Sequence, residues 1–190
     1  MRVNIFIILL VEVKLRLIYF FTIIFSIFFY SLNAEEIRQV DEHEHGVGEL
    51  NIAIENNIID FEFMIPGADI VGFEYEAKSE QDIAAVNSAL KEFDDYKNIF
   101  IISGNHQCIL LSQKININQN DEHDEDTHNE FYAKYSFECD SINSINNVGF
   151  PYFVTFPNSG ELEVQFISEL GSTSFEVEAD KPVINIEGKI

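Results

Sequence analysis

The sequence predicts an α+β fold: mostly antiparallel β-hairpins with one or two helices. Three observations carry this. Apolar residues alternate at a period of two on both sides of a turn signal at Asn56-Asn57. A single stretch, residues 79–96, has helical spacing instead. Further short apolar runs recur after it, separated by Gly, Pro, Asn and Ser. The second half repeats the first in outline, as strand, turn, strand and a connecting segment, which allows two small similar subdomains.

The elements follow in order. Residues 46–65 read as a hairpin, with Ile59, Phe61, Phe63 and Ile65 on one face and Asp60 and Glu62 on the other. Pro66-Gly67 ends it, and residues 68–76 form a connection. The helix over 79–96 starts at Ser79 as N-cap and turns Ile83, Val86, Leu90 and Phe93 inward. Residues 100–102 read as a short buried strand. Residues 108–111 and 131–139 are strand-like, and residues 140–147 a turn or loop with room for a short helical piece. Residues 150–156, 162–167, 174–178 and 183–186 read as strands.

Residues 1–34 do not read as part of the fold. Lys14 and Arg16 precede fourteen apolar residues, 17–30, and Ala34 precedes Glu35-Glu36. That order makes a secretory signal cut after Ala34. The run is shorter than the ~20 residues that span a bilayer, so no stable membrane insertion is expected after cleavage. The domain is then residues 35–190. Loss of Arg2, Lys14, Arg16 and Glu12 takes the net charge from −22 to −24. Such a chain repels nucleic-acid phosphate and anionic lipid and attracts cations. Acidity also serves solubility alone.

Chemistry concentrates in two segments. Residues 118–130 are a polar loop holding His123 and His128 among Asp and Glu residues. His43 and His45 sit in a second acidic patch, residues 41–45. The chain has five histidines, so four of them lie in acidic, solvent-favouring contexts. Imidazole and carboxylate together suit a divalent metal, zinc first. His43 and His45, two apart, share one face if extended. The bland alternative is a pair of solvated loops. His106, beside Cys108, reads as a packed or surface residue.

Cys108 and Cys139 are the two cysteines. In an exported chain such a pair is most simply a disulfide, here enclosing the loop of residues 118–130. The rival is a pair of zinc thiolates. Enzyme readings lack parts: there is no Gly-x-Ser-x-Gly and no phosphate-binding loop, and a disulfide removes the thiol nucleophile.

Four segments carry a resemblance. His43-Glu44-His45-Gly46 leading into Leu50-Asn51-Ile52-Ala53 resembles the start of the exported ZrgA-like zinc-uptake accessory proteins. Pro66-Gly67-Ala68-Asp69-Ile70-Val71-Gly72-Phe73-Glu74 is similar to that family's second signature, with Gly67 inserted. His128-Asn129-Glu130-Phe131 and Tyr135-Ser136-Phe137-Glu138-Cys139 resemble its third, and Cys108 matches the partner cysteine. The resemblance implies a periplasmic, non-enzymatic protein that binds Zn2+ and supports a high-affinity zinc ABC importer or its solute-binding protein. It implies His43, His45 and His128 as metal ligands, with His123 standing for a His-rich loop. Two positions depart from the pattern: Tyr75 stands where the family has a histidine, and the loop is poorer in histidine. The alternative is an exported acidic protein-interaction module without metal.

Overall fold

The computed structural model describes residues 46–105, 107–118 and 129–190. β1 (Val47–Glu55) and β2 (Ile58–Pro66) form the expected hairpin. Asn56, with φ 55°, takes the left-handed turn position that asparagine tolerates better than most residues. A short helix α1 (Gly67–Val71) and the left-handed Gly72 interrupt what the sequence suggests is a plain connection. Helix α2 (Glu80–Asp94) follows, then β3 (Ile101–Gly104), β4 (Cys108–Asn118) and β5 (Glu130–Cys139). β6 (Ile145–Gly149), α3 (Tyr152–Thr155), β7 (Glu161–Ser168), β8 (Gly171–Glu178) and β9 (Val183–Asn185) complete the order.

Six strands form one sheet in the order β4-β5-β2-β1-β7-β8, and β3-β6-β9 form a second. All pairs are antiparallel except β1 with β7. The similar hairpins β1–β2 and β7–β8 therefore lie side by side in one sheet.

The alternation in sequence becomes an alternation in burial. Leu50, Ile52, Ile59, Phe61, Phe63, Ile65, Phe131, Ala133, Tyr135, Phe137, Leu162 and Val164 line one face and are fully or almost fully buried. Each large apolar side chain so placed contributes about 1.5–3 kcal/mol. The opposite face carries Glu49, Glu62, Lys134, Glu163 and Glu176. Aromatic rings close the core: Phe61 stacks on Phe100 at 4.1 Å and Phe93 on Phe156 at 5.0 Å. The Tyr135 hydroxyl donates to the Phe93 carbonyl at 2.6 Å, fixing the end of α2 against β5. Burial, with Asp94 and Asp95 adding negative charge nearby, holds that hydroxyl above the usual tyrosine range, so it remains a donor.

The Ser79 cap is as expected, its side chain accepting from the Asp82 N–H at 3.0 Å. The inward stripe differs by a turn. Val86, Ala89 and Phe93 are buried, whereas Ile83 is 45 % exposed. Ile101, expected in a buried strand, is 49 % exposed, and the strand begins one residue later than expected. Residues 150–156 are not a strand. Pro151 has helical angles, and its carbonyl accepts from Val154 and Thr155, giving the helical turn α3. Phe150, Tyr152, Phe153 and Phe156 are all buried, and a short apolar run buried this way does not reveal its period. Within residues 140–147, read as a turn or loop with room for a short helical piece, Ile142–Ser144 form a 3-10 turn, but residues 145–147 already belong to β6, held between β3 and β9 with Ile145 and Val148 buried.

Cys108 and Cys139 are disulfide-bonded, S–S 2.01 Å, and stand opposite each other on β4 and β5. The expected staple across two neighbouring strands is present. The thiolate-ligand alternative is overturned, because both sulfurs are committed to the bridge.

Candidate metal centre

Strand register brings the flanks of both histidine segments to one end of the six-stranded sheet. Asn118 pairs with Glu130, Glu130 with Pro66, and Glu161 with both Val47 and Glu178. Extending the β1–β2 register by two residues from Glu49–Met64 sets Val47 opposite Pro66. One row across the sheet therefore reads Asn118, Glu130, Pro66, Val47, Glu161, Glu178. Val47 begins the strand after the first histidine patch. Asn118 and Glu130 bound the second segment.

Gly46, the residue after His45, is anchored at both of its polar atoms. Its N–H donates to Asp69 Oδ1 at 2.9 Å. Its carbonyl accepts from the Gly160 and Glu161 N–H groups at 2.9 and 2.8 Å. Its φ of +92° is a conformation that glycine adopts without strain. Asp69 is itself buried at 3 % exposure. The Ser159 hydroxyl donates to its Oδ2 at 3.4 Å, and Tyr152 donates to Ser159 at 2.8 Å. Burial keeps the Tyr152 hydroxyl above the usual tyrosine range. The Ser159 contact opposes that rise and the Asp69 charge adds to it. The result is a chain of donors, Tyr152 to Ser159 to Asp69, ending on the carboxylate that holds Gly46.

Asn129, the residue after His128, is anchored three times and is 3 % exposed. Its N–H donates to the Glu74 carbonyl at 2.9 Å and its carbonyl accepts from Gly67 N–H at 2.7 Å. Its side-chain amide donates to the Tyr75 carbonyl. Gly67 is required sterically. A Cβ there would lie 2.6 Å from the Phe73 carbonyl oxygen and 2.9 Å from that of Asn129. Tyr75 is 58 % exposed and stacks on Phe73 at 4.7 Å. One segment, residues 66–75, thus receives both flanks: Asp69 takes Gly46, and Gly67, Glu74 and Tyr75 take Asn129.

His43, His45, His123, His128 and His106 lie outside the described residues, as does the expected signal over residues 1–34. Among the described residues no group of three or more His, Cys, Asp and Glu side chains is placed to hold a metal ion. With both sulfurs in the disulfide, neither cysteine is available as a thiolate donor. Carboxylates of the described end row, Glu130, Glu161 and Glu178, supply compatible oxygen chemistry. Asp69, Asn129 and Gly67, which hold the two flanks together, are not singled out as anchors by the sequence reading. Their signal was present in the quoted segments: a short acidic side chain and an inserted glycine beside Pro66.

The sequence profile of the ZrgA family zinc uptake proteins matches residues 42–186, and the chain belongs to that family. The match spans all five histidines and both cysteines. No curated protein matches the chain. Among the described residues no helix is long and apolar enough to cross a membrane.

Proposed function

We propose that this chain is a periplasmic, non-enzymatic zinc-binding protein that assists high-affinity zinc uptake. Zn2+ is its cargo. His43, His45, His123 and His128 are its imidazole donors, and the partner is a zinc ABC importer or its solute-binding protein. The leader over residues 1–34 exports it, and residues 35–190 form the binding domain. The observation that carries this reading is the shared anchoring of Gly46 and Asn129 on residues 66–75, at one end of a disulfide-stapled sheet. Two weak histidine patches so tethered act as one polydentate site. Each histidine next to an anchored residue has its Cα only ~3.8 Å from a fixed Cα, which lowers the entropy lost on ligation. Membership in a zinc uptake family supports the choice of metal.

The test is a zinc titration against a competing chelator, with copper and calcium as rival ions. Wild-type protein binds zinc, and His43→Ala with His45→Ala abolishes tight binding. Unchanged affinity in that double variant refutes the proposal.

A second reading has its own observation. Glu49, Glu163 and Glu176 stand in register on adjacent strands of the outer face, in a chain of net charge −22. This favours an acidic module for a cationic protein partner. Partner binding that persists in chelator and weakens with salt would support it instead.

A further inference from the structure

We propose that the free edge of β4 accepts an extended segment of a partner protein, one that alternates carboxylates with apolar residues. The inference is independent of the zinc reading. β4 is an outermost strand of the six-stranded sheet and pairs on one side only, with β5. An edge strand offers a row of N–H and C=O groups to any further strand, and proteins usually guard it with charge, proline or brevity. The guard on β4 is slight. It runs for 11 residues with no proline and no carboxylate, and Lys114 is its one charged residue. β8, at the opposite edge, carries Glu176 and Glu178. Leu111, Ser112, Gln113 and Lys114 are exposed in succession, so both faces of β4 are open there. Ile109 and Leu111 are 68 % and 53 % exposed.

Two features choose the occupant. The first is charge. On the outer face Lys114 stands opposite Lys134, and Lys134 opposite Glu62, with Lys134 Nζ 3.8 Å from Glu62 Oε2. Like charges directly opposite each other destabilise a sheet. Glu62 answers Lys134. Lys114 lies over the Tyr132 ring at 5.8 Å and meets no carboxylate within ion-pair distance among the described residues. A carboxylate on an added strand completes this row. A second copy of β4 brings none, and it belongs to a chain whose net charge of −22 repels its own kind. The second feature is apolar. At the Cys108 end of β4 a cavity of about 310 Å³ opens between Tyr96, Phe100, Ile101, Ile102, Cys108 and Phe137, with Lys97 beside it as a second cation. A strand laid along β4 reaches this cavity, so its apolar residues find a pocket while its carboxylates find lysines. Strand addition works this way: backbone bonds supply affinity, and pockets for side chains select the sequence.

The test uses the full chain with its disulfide intact. The probe is a labelled synthetic peptide of alternating glutamate and valine, followed by fluorescence anisotropy and by amide hydrogen exchange. The peptide should bind and slow exchange in residues 108–118. Its counterpart with lysine in place of glutamate should bind about tenfold more weakly. Lys114→Glu should weaken the glutamate peptide by about fivefold or more. Ile101→Asp, at a cavity position that is already 49 % exposed, should weaken it as well. Circular dichroism checks that each variant is folded. Equal binding of the two peptides, or a folded Lys114→Glu protein with wild-type affinity, overturns the proposal. So does the absence of binding, or binding that leaves exchange in β4 unchanged. Should Lys114→Glu fail to fold, Lys114→Ala takes its place: weaker peptide binding supports the proposal and unchanged binding overturns it. A mass that doubles with protein concentration, and returns to that of one chain when the glutamate peptide is added, would assign the edge to a second copy and overturn the partner named here.

Discussion

Gly67→Ala is the sharpest perturbation of this architecture. The added methyl would meet the Phe73 carbonyl oxygen at 2.6 Å and the Asn129 carbonyl oxygen at 2.9 Å. Both are backbone atoms, so no side-chain rotation relieves the overlap. Either α1 or the Asn129 segment must shift. A shift stretches the 2.7 Å bond from Gly67 N–H to Asn129, a loss of about 1 kcal/mol. Forcing a methyl into a packed site adds about 1–3 kcal/mol, for a total of about 2–4 kcal/mol. For a domain of this size each kcal/mol is worth about 2–4 °C, so the melting temperature should fall by about 5–15 °C. The assay is thermal unfolding followed by circular dichroism, with Gly149→Ala as control. There the nearest atom is Val183 Cγ2 at 3.8 Å, an ordinary contact. A Gly67→Ala protein that melts with the Gly149→Ala control refutes the steric argument and the tight docking of Asn129.

Three more outcomes follow from the same geometry. Removing the Cys108–Cys139 bridge, with a sequence separation of 31, should cost about 3.5–4 kcal/mol by chain entropy, read from denaturant midpoints of Cys108→Ser with Cys139→Ser; no change would mean that native strain cancels the entropy. Alkaline pH should destabilise the fold. Tyr132 is pushed up to about 12 by its hydrogen bond to Glu62, then by burial and the Glu62 charge, and burial raises Tyr135 and Tyr152 as well. The folded state thus favours the neutral phenols. Their stabilisation is complete below the ordinary tyrosine value of about 10 and is lost as pH rises towards and beyond 12, so urea midpoints should decline above pH 10, and less so in Tyr132→Phe. Tyr75→His places an imidazole where the Tyr75 carbonyl already receives Asn129. Zinc affinity should rise by about tenfold, one ligand's worth of roughly 1.4 kcal/mol; an unchanged titration curve would put this position outside the site.

The sequence made some of this legible and hid the rest for identifiable reasons. The period-two run through Ile59, Phe61, Phe63 and Ile65 announces its buried face, because a sheet with one wet side sorts side chains that way. Ser79 with Asp82 three residues on announces the helix start, because capping is a local interaction. The cysteine pairing is legible because the chain reads as exported and holds two cysteines, and the strand-like flanks place the bridge across neighbouring strands. By contrast, the parallel pairing of β1 with β7 joins residues more than a hundred positions apart, and no local pattern encodes it. That pairing puts Gly160 and Glu161 on Gly46. The helical turn after Pro151 was misread because four buried aromatic residues in seven hide the period. Asp69 reads as part of the connection over residues 68–76. Its burial depends on Ser159, ninety residues away in the chain. The histidine segments stood out by composition, whereas the common anchor on residues 66–75 required the fold.

If the proposed zinc site is shared between the two segments, His45 and His128 serve the same ion. A zinc titration of wild type, His45→Ala, His128→Ala and the double variant forms a thermodynamic cycle that decides this directly. One shared site predicts a single tight zinc per chain, weakened strongly by either substitution, with the double variant little worse than either single one. Two zinc ions per chain, with each substitution removing one and leaving the other at wild-type affinity, would contradict the shared site.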